Sequence, residues 1–369
     1  MSMVIVDHLA FTFSASVARD FEQWFEFNKV SGYVGTLPKM PVPPAIVNYE
    51  TGKSLSGIEY QQALEAYHEK SHLVIFERLS VFFDRVLGLY VGPIRSRGMH
   101  GYTYSCRLLS LDGASECGYL MFGGNNDTIH VQISGSGCRY VFADKSPSVV
   151  YNILKGLGVS VLSRVDLAFD DFIGLATCHY AELAYSDGAF RSAARGSVPS
   201  IDPRRPRRAD GSLIGETIYV GSRQSRIYWR IYDKALEQKL FGVTWYRSEV
   251  ELKRVSIDVL SDVTGYFMGI CDYSSSIISG YSEELKKLPK EERDKKNSML
   301  PCLRLLSRLR CTRRQVGSVV GDVLAVFEGD VGAAFGLLMN PADVARCRLD
   351  RYESQLKVGG VIFTQRFNC

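Results

Sequence analysis

The stretch Ser163-Arg164-Val165-Asp166-Leu167-Ala168-Phe169-Asp170-Asp171 alternates polar and apolar side chains. That period of two is the signature of a β-strand: Arg164, Asp166, Ala168 and Asp170 project to one face, and Val165, Leu167 and Phe169 to the other. The apolar face packs, and the opposite face presents two carboxylates. Two more strands with the same habit follow. In Tyr228-Trp229-Arg230-Ile231-Tyr232-Asp233-Lys234, the residues Tyr228, Arg230 and Tyr232 share a face. In Trp245-Tyr246-Arg247-Ser248-Glu249-Val250-Glu251-Leu252-Lys253, the residues Arg247, Glu249 and Glu251 lie opposite Val250 and Leu252. Strands of this kind, separated by turns and flanked by helical patterns, predict an α+β domain built on an antiparallel sheet.

Working outward, VDHLAFTFSA predicts a first strand and VARDFEQWFEFN an amphipathic helix. The three prolines of GTLPKMPVPPA mark a loop, after which IEYQQALEAYHEKSHLVIFERLSVFFDRVLG resumes helical spacing. GYTYSCRLLSL, GYLMFGG and DTIHVQISGSGC read as a meander of short strands. SPSVVYNILKGLG reads as a helix with Ser146 or Ser148 as its N-cap and Gly158 near its stop. Residues from about 174 to 215 read as helix then basic loop, and the long pattern from Glu216 to Lys234 as a strand bent or split at Gly221-Ser222. Beyond residue 255 the patterns turn helical, with the charged run 283–297 as an exposed hinge or loop. The expected organisation is an α+β sheet domain over 1–265 and a smaller helical domain over 266–369.

Composition narrows the function classes. Hydrophobic residues at 46% and charged residues at 23% describe a globular protein with a sizeable core. No apolar run reaches the roughly 18 residues of a membrane span, and the N-terminus lacks the marks of a signal peptide, so a cytoplasmic protein is expected, with no membrane partner. Nine cysteines without a C-x-x-C pair argue for buried thiols rather than zinc or disulfides. None of the six histidines stands at H-x-H spacing, so a divalent ion would draw mainly on carboxylates. His130 shares a face with Thr128, Gln132 and Ser134; it reads as a structural histidine, with a metal role as the alternative. Net charge is only +4, but arginines cluster at Arg204, Arg205, Arg207 and Arg208, and again at Arg304, Arg308, Arg310, Arg313 and Arg314. Such clusters can track a phosphate backbone or form solvated faces.

Asp166, Asp170, Glu249 and Glu251 form the candidate acidic site. Asp166 and Asp170 stand about 13 Å apart along an extended strand, so an ion needs a further acid, which the strand carrying Glu249 and Glu251 supplies if it lies alongside. Oxygen ligands of this kind suit Mg²⁺ or Mn²⁺. The other reading is a pair of solvent-facing strands whose acids pair with Arg164 and Arg247. Tyr232 is either an aromatic packing residue or a nucleophile. A phenol near pKa 10 needs help to become a phenolate, which Arg230 or Lys234 could give.

The order R-V-D-L-A-F-D-D (164–171), E-T-I-Y-V-G-S-R-Q-S-R-I-Y-W-R-I-Y-D-K (216–234) and Y-R-S-E-V-E-L-K-R (246–254) resembles the replication initiation factor family, which includes rolling-circle initiators of plasmids and filamentous phages and related relaxases. The glycine-rich segment 118–138 is closest in style to the phage branch. The resemblance implies a sheet distantly similar to that of HUH endonucleases, with acids in place of the paired histidines. The family's R-I-Y-x-K pattern falls on Arg230, Ile231, Tyr232 and Lys234, which makes Tyr232 the nucleophile and its neighbours its support. It also implies metal ligands among Asp166, Asp170, Glu249 and Glu251, and Mg²⁺ or Mn²⁺ as cofactor.

Tyr228 is four residues from Tyr232, a spacing that brings side chains to roughly 6 Å on a helix but about 13 Å on a strand. It is therefore expected to pack or to stack on a base rather than to act as a second nucleophile. The function implied is metal-dependent nicking and religation of one DNA strand at an origin, through a 5′-phosphotyrosine. Partners would be single-stranded or hairpin origin DNA, contacted by Arg204, Arg205, Arg207, Arg208 and Tyr228, with a host helicase, a DNA polymerase and possible homodimers. A relaxase, or a catalytically silent DNA-binding repressor on the same scaffold, are the alternatives.

Overall fold

The computed structural model describes residues 3–27, 37–46, 54–113, 115–192, 198–240, 242–294, 296, 319–328 and 330. They belong to two compact units that interleave along the chain, Met1–Ala168 with Gly221–Trp229 and Glu249–Phe267, and Phe169–Val220 with Arg230–Ser248 and Met268–Cys369. Four strands have residues in both.

In the first unit, strand β1 (Val4–Ser14) leads into short helices α1 (Ala15–Arg19) and α2 (Phe21–Phe27). Helix α3 (Gly57–Phe82) opens on a capping box in which Ser56 and Glu59 exchange side-chain and backbone bonds, and it ends in a π-helical turn at Phe83–Leu87. The meander follows as β2 (Leu89–Ile94), β3 (Tyr104–Ser110), β4 (Glu116–Phe122) and β5 (Thr128–Ile133). Helices α4 (Gly135–Asp144) and α5 (Pro147–Gly156) precede β6 (Val161–Asp171). Ser146 caps α5 with Pro147 in its first turn, and Gly158 follows its end at φ +74°.

All described strand pairings here are antiparallel, with β5 joined on one side to β4 and on the other to β1. The core of this unit includes an aromatic cluster in which Phe21 stacks on Phe82 at 4.7 Å, with Trp24, Phe25 and Phe83 around it. Arg78, whose side chain is 3% exposed, forks onto Glu22 and takes the carbonyls of Arg19 and Pro38, which satisfies a buried guanidinium completely enough to be tolerated.

The second unit holds helix α6 (Cys178–Ser186), strands β7 (Ile201–Arg204) and β8 (Thr217–Gly221), and the ends of β9 (Ile227–Asp233) and β10 (Tyr246–Ser256). Between β9 and β10 lies the single turn α7 (Lys234–Glu237); after β10 the 3₁₀ turn (Ile257–Leu260) and all but the last residue of helix α8 (Val263–Met268) belong to the first unit, and helix α9 (Asp272–Lys287) to the second. The strand expected to split at Gly221 does so: Gly221 has φ +90°, and a Cβ there would stand 2.9 Å from the carbonyl oxygen of Ile227. Tyr273 is fully buried against Phe190 at 4.3 Å and shares a hydrogen bond with Ser248.

Several expectations need correction. β2 falls in a segment to which the sequence pattern assigns no element, because Gly92 and Pro93 interrupt its strand pattern; it is nonetheless paired with β3 through a bulge. The GSGC segment after β5 is the first turn of α4, not strand. Ser134 caps it, and a Cβ at Gly137 would stand 2.0 Å from the Cys117 carbonyl oxygen, so close packing outweighs the poor helix propensity of glycine. Residues 201–204, read as basic loop, form a strand antiparallel to β8. The charged run from 283 is helical to Lys287, where Lys287 pairs with Glu284. The C-terminal arginines Arg304 to Arg314 lie outside the described residues, as does most of the chain beyond 297. No helix among the described residues is long and apolar enough to cross a membrane.

Candidate functional site

The acidic residues are buried rather than solvent-facing, which overturns the reading of β6 and β10 as strands with charged outer faces, while the pairing of the acids with Arg164 and Arg247 is present. In the first unit Asp166 is 2% exposed, Glu249 5% and Glu251 7%. Arg164 forks onto Asp166, Nε to Oδ1 at 2.8 Å and Nη2 to Oδ2 at 2.6 Å, and the same Nη2 reaches Glu251 at 2.9 Å. Lys253 meets the other oxygen of Glu251 at 3.2 Å. Burial alone would lower the pKa of Arg164; the bond to Asp166 and the charges of Asp166, Glu251 and Glu249 raise it above the ordinary value. Two of the four candidate acids thus bind one guanidinium, and the charge of Glu249 adds to theirs. His8 of β1 is near the same charges, and burial holds its pKa below the usual range despite the pull of Asp166.

The fourth acid, Asp170, is in the second unit. Arg247 forks onto it with two bonds of 2.8 Å, and the Trp245 indole donates to its Oδ1 at 2.6 Å. Asp171 is structural: its carboxylate accepts the backbone N–H groups of Ile173, Gly174 and Ala176 and so closes the loop after β6. The sequence held the cue, a third acid out of step with the alternating face.

Tyr232 is half-buried on β9. The Lys234 ammonium stands over its ring, 5.2 Å from the centroid, and pairs with Glu237 at 2.6 Å. β9 ends because the Asp233 side chain caps α7 by accepting from Leu236 N–H, and this first turn of helix carries Lys234 back over the ring. Burial raises the Asp233 pKa. Arg230 is half-buried on the same strand, and Tyr228 is buried in the first unit.

The four arginines of the basic segment differ. Arg205 is bound by Glu182 at 2.5 Å and Glu216 at 2.7 Å, bonds that raise its pKa. Arg204 is exposed, paired with Asp202 at 2.8 Å and placed over the Tyr219 ring at 5.2 Å. Arg207 and Arg208 are exposed and bonded within their own turn, to the Gly211 carbonyl and the Ser212 hydroxyl.

A divalent ion fits the carboxylates poorly as they stand. Among the described residues no group of three or more His, Cys, Asp or Glu side chains is placed to hold a metal, and the oxygens of Asp166, Glu251 and Asp170 already face guanidinium groups. A different set of donors comes together in the first unit. The Gln132 amide nitrogen stands 3.3 Å from Nε2 of His130 and 3.4 Å from Nε2 of His100. Burial, with His100 and His8 nearby, pushes the His130 pKa down to about 4. Reading the sequence missed this set because His100 lies some thirty positions from the other two residues in a loop.

Residues 160–325 match the family model described as Replication initiation factor. A solved structure of the rolling-circle replication initiator protein from Geobacillus stearothermophilus is similar at 19% identity and a TM-score of 0.44, covering 72% of this chain and 84% of that one. No curated protein matches the chain.

Proposed function

We propose, from the premise that residues 160–325 carry a replication initiation factor domain, that this chain initiates rolling-circle DNA replication by nicking one strand with Tyr232. The observation that carries the reading is the Tyr232–Lys234 arrangement inside that matched region, a half-buried phenol with an ammonium 5.2 Å from its ring centroid. In the reaction, Tyr232 Oη bonds to phosphorus as the bond from phosphorus to the 3′-oxygen breaks. The phenol proton leaves, the 3′-oxygen gains a proton, and a 5′-phosphotyrosine remains. One phosphoester replaces another, so nicking needs no nucleotide, and the reverse step rejoins the strand.

The exposed arginines Arg204, Arg207 and Arg208 supply sequence-independent phosphate contacts in this reading, whereas Arg205 serves the fold through its two glutamates. Tyr228, buried, packs. A requirement for Mg²⁺ or Mn²⁺ and a phage setting are part of the proposal, as are single-stranded or hairpin origin DNA and a host helicase and polymerase as partners. The oxygens of Asp166, Glu251 and Asp170 are engaged by arginine. The proposal is tested by incubating the protein with a library of labelled single-stranded DNA and either ion, then looking for an SDS-resistant adduct. Covalent DNA that EDTA suppresses supports it. A protein that binds DNA but gives no adduct with any substrate is the silent repressor instead.

A further inference from the structure

The loop between β2 and β3 carries His100 in a left-handed conformation, φ +53°, unusual for a residue with a side chain, followed by Gly101 at +83°. This conformation is built in. Tyr102 N–H closes the turn onto the Met99 carbonyl at 3.0 Å, and a Cβ at Gly98 would meet the Tyr102 carbonyl oxygen at 1.9 Å. The Tyr102 hydroxyl is bonded to Thr128 at 2.8 Å, and its ring lies parallel to that of His130, so the loop is pinned to β5. The result is that His100 faces two residues of β5, His130 and Gln132, which share one side of the strand.

Their geometry is specific. His130 Nδ1 is bonded to the Thr12 hydroxyl at 2.7 Å, across the β1–β5 ladder in which Thr12 and His130 are partners. That bond fixes the ring and leaves Nε2 directed at Gln132. One amide nitrogen, with two hydrogens, can donate to the lone pairs of both imidazoles, which places both rings with unprotonated Nε2 atoms toward one point. An amide turned over by 180° occupies the same volume and puts Oε1 where the nitrogen was. Two nitrogens and an oxygen then converge. Donors at the bond lengths usual for imidazole-bound zinc, about 2.0–2.1 Å, are separated by about 3.0–3.4 Å along the edges of their coordination figure. The two separations from Gln132 are 3.3 and 3.4 Å.

We propose that His100, His130 and Gln132 bind a divalent transition ion, with Zn²⁺, Co²⁺ or Ni²⁺ preferred over Mg²⁺. Two imidazoles and an amide oxygen form a neutral set with nitrogen donors, which suits these ions and disfavours magnesium. The remaining positions open into a depression of about 420 Å³, lined by Thr12, Tyr102, Asn125, Asn126, Thr128 and Ser163. The site is therefore open to water rather than closed by a fourth side chain. The proposal concerns ion binding and does not rest on the nicking reading above.

The test uses the untagged full chain, stripped with EDTA and without DNA, titrated with Co²⁺ while its visible absorption is followed, then competed with Zn²⁺. One equivalent of Co²⁺ is expected, with bands typical of nitrogen ligation and displaced by Zn²⁺ but not by a hundredfold excess of Mg²⁺. His100→Ala, at an exposed loop position, should weaken binding at least tenfold with an unchanged melting curve. Gln132→Glu should tighten it by adding a carboxylate to the same corner. No Co²⁺ or Zn²⁺ bound by the stripped protein overturns the proposal. Binding unchanged in both His100→Ala and His130→Ala, or binding lost instead in Asp166→Asn, overturns it equally.

Discussion

Substituting Asp170 by asparagine should destabilise the protein, because the carboxylate works as the counterion of a buried arginine. Side-chain exposure is 5% for Arg247 and 4% for Asp170, so neither charge is compensated by water. The wild-type carboxylate accepts two bonds of 2.8 Å from the guanidinium and one of 2.6 Å from Trp245. Asparagine keeps one oxygen, loses the charge and turns a donor toward a donor. Breaking a buried pair by removing one partner costs about 3–5 kcal/mol, mostly the penalty of the stranded charge. With a urea slope of about 1–3 kcal/mol per molar, the midpoint should fall by at least about 1 M. Urea denaturation of the full chain, followed by tryptophan emission because Trp245 reports on the pair, measures it. Arg247→Met should also destabilise, because it strands the buried Asp170, and the double variant should cost less than the sum of the two singles, since the stranded charge is then gone. An acid held in reserve for a metal behaves in the opposite way, since neutralising it relieves buried charge. A midpoint that stays or rises in Asp170→Asn would refute the ion-pair account.

Other outcomes follow from the same contacts. Replacing Arg204, Arg207 and Arg208 together by alanine should weaken binding to single-stranded DNA and reduce the slope of log K against log salt by about 2, at roughly 0.7 per phosphate contact; a slope that does not change removes these arginines from the DNA surface. Arg205→Ala should instead lower the melting temperature, because it strands Glu182 and Glu216, with a salt slope close to wild type. Acid should weaken the first unit through Glu22. Burial pushes the pKa of Glu22 up, but the bonds from Arg78 and the backbone more than offset it, so the folded value lies below the ordinary one. Its contribution is fully present above the unfolded pKa and is lost as the pH falls through the folded value, so wild type should lose more stability between pH 5 and pH 3 than Glu22→Gln does. Equal losses in denaturation curves at the two pH values would count against it.

Strand periodicity made the central elements legible. The alternation of 163–171 and 245–253 and the break at Gly221 are local signals, and they reappear as β6, β10 and the β8–β9 split. What periodicity does not report is which face is covered. Asp166 and Phe169 alternate in sequence as though one faced water, yet both are buried; Arg164 balances the charge of Asp166 inside the protein, and Lys253 adds a second cation beside Glu251. Likewise β2 and α4 were hidden by glycines and a proline that local propensity counts as breakers. Pairing with β3, and the close approach of Gly137 to Cys117, decide those segments through residues remote in sequence. The Tyr232–Lys234 contact was readable, since a strand that ends in a helical turn brings neighbours two apart together. The convergence of His100 with His130 and Gln132 was not, because it depends on a loop conformation that only the neighbouring residues fix.

The central claim is that one phenol, Tyr232, takes the DNA strand. Trapping the covalent product formed with Mg²⁺ or Mn²⁺, digesting it with protease and nuclease, and sequencing the nucleotide-bearing peptide by mass spectrometry tests this most directly. The account predicts a 5′-phosphonucleotide on Tyr232 and no adduct from a folded Tyr232→Phe variant that still binds the same DNA. A nucleotide on Tyr228 or any other residue, or an undiminished adduct from Tyr232→Phe, would contradict it.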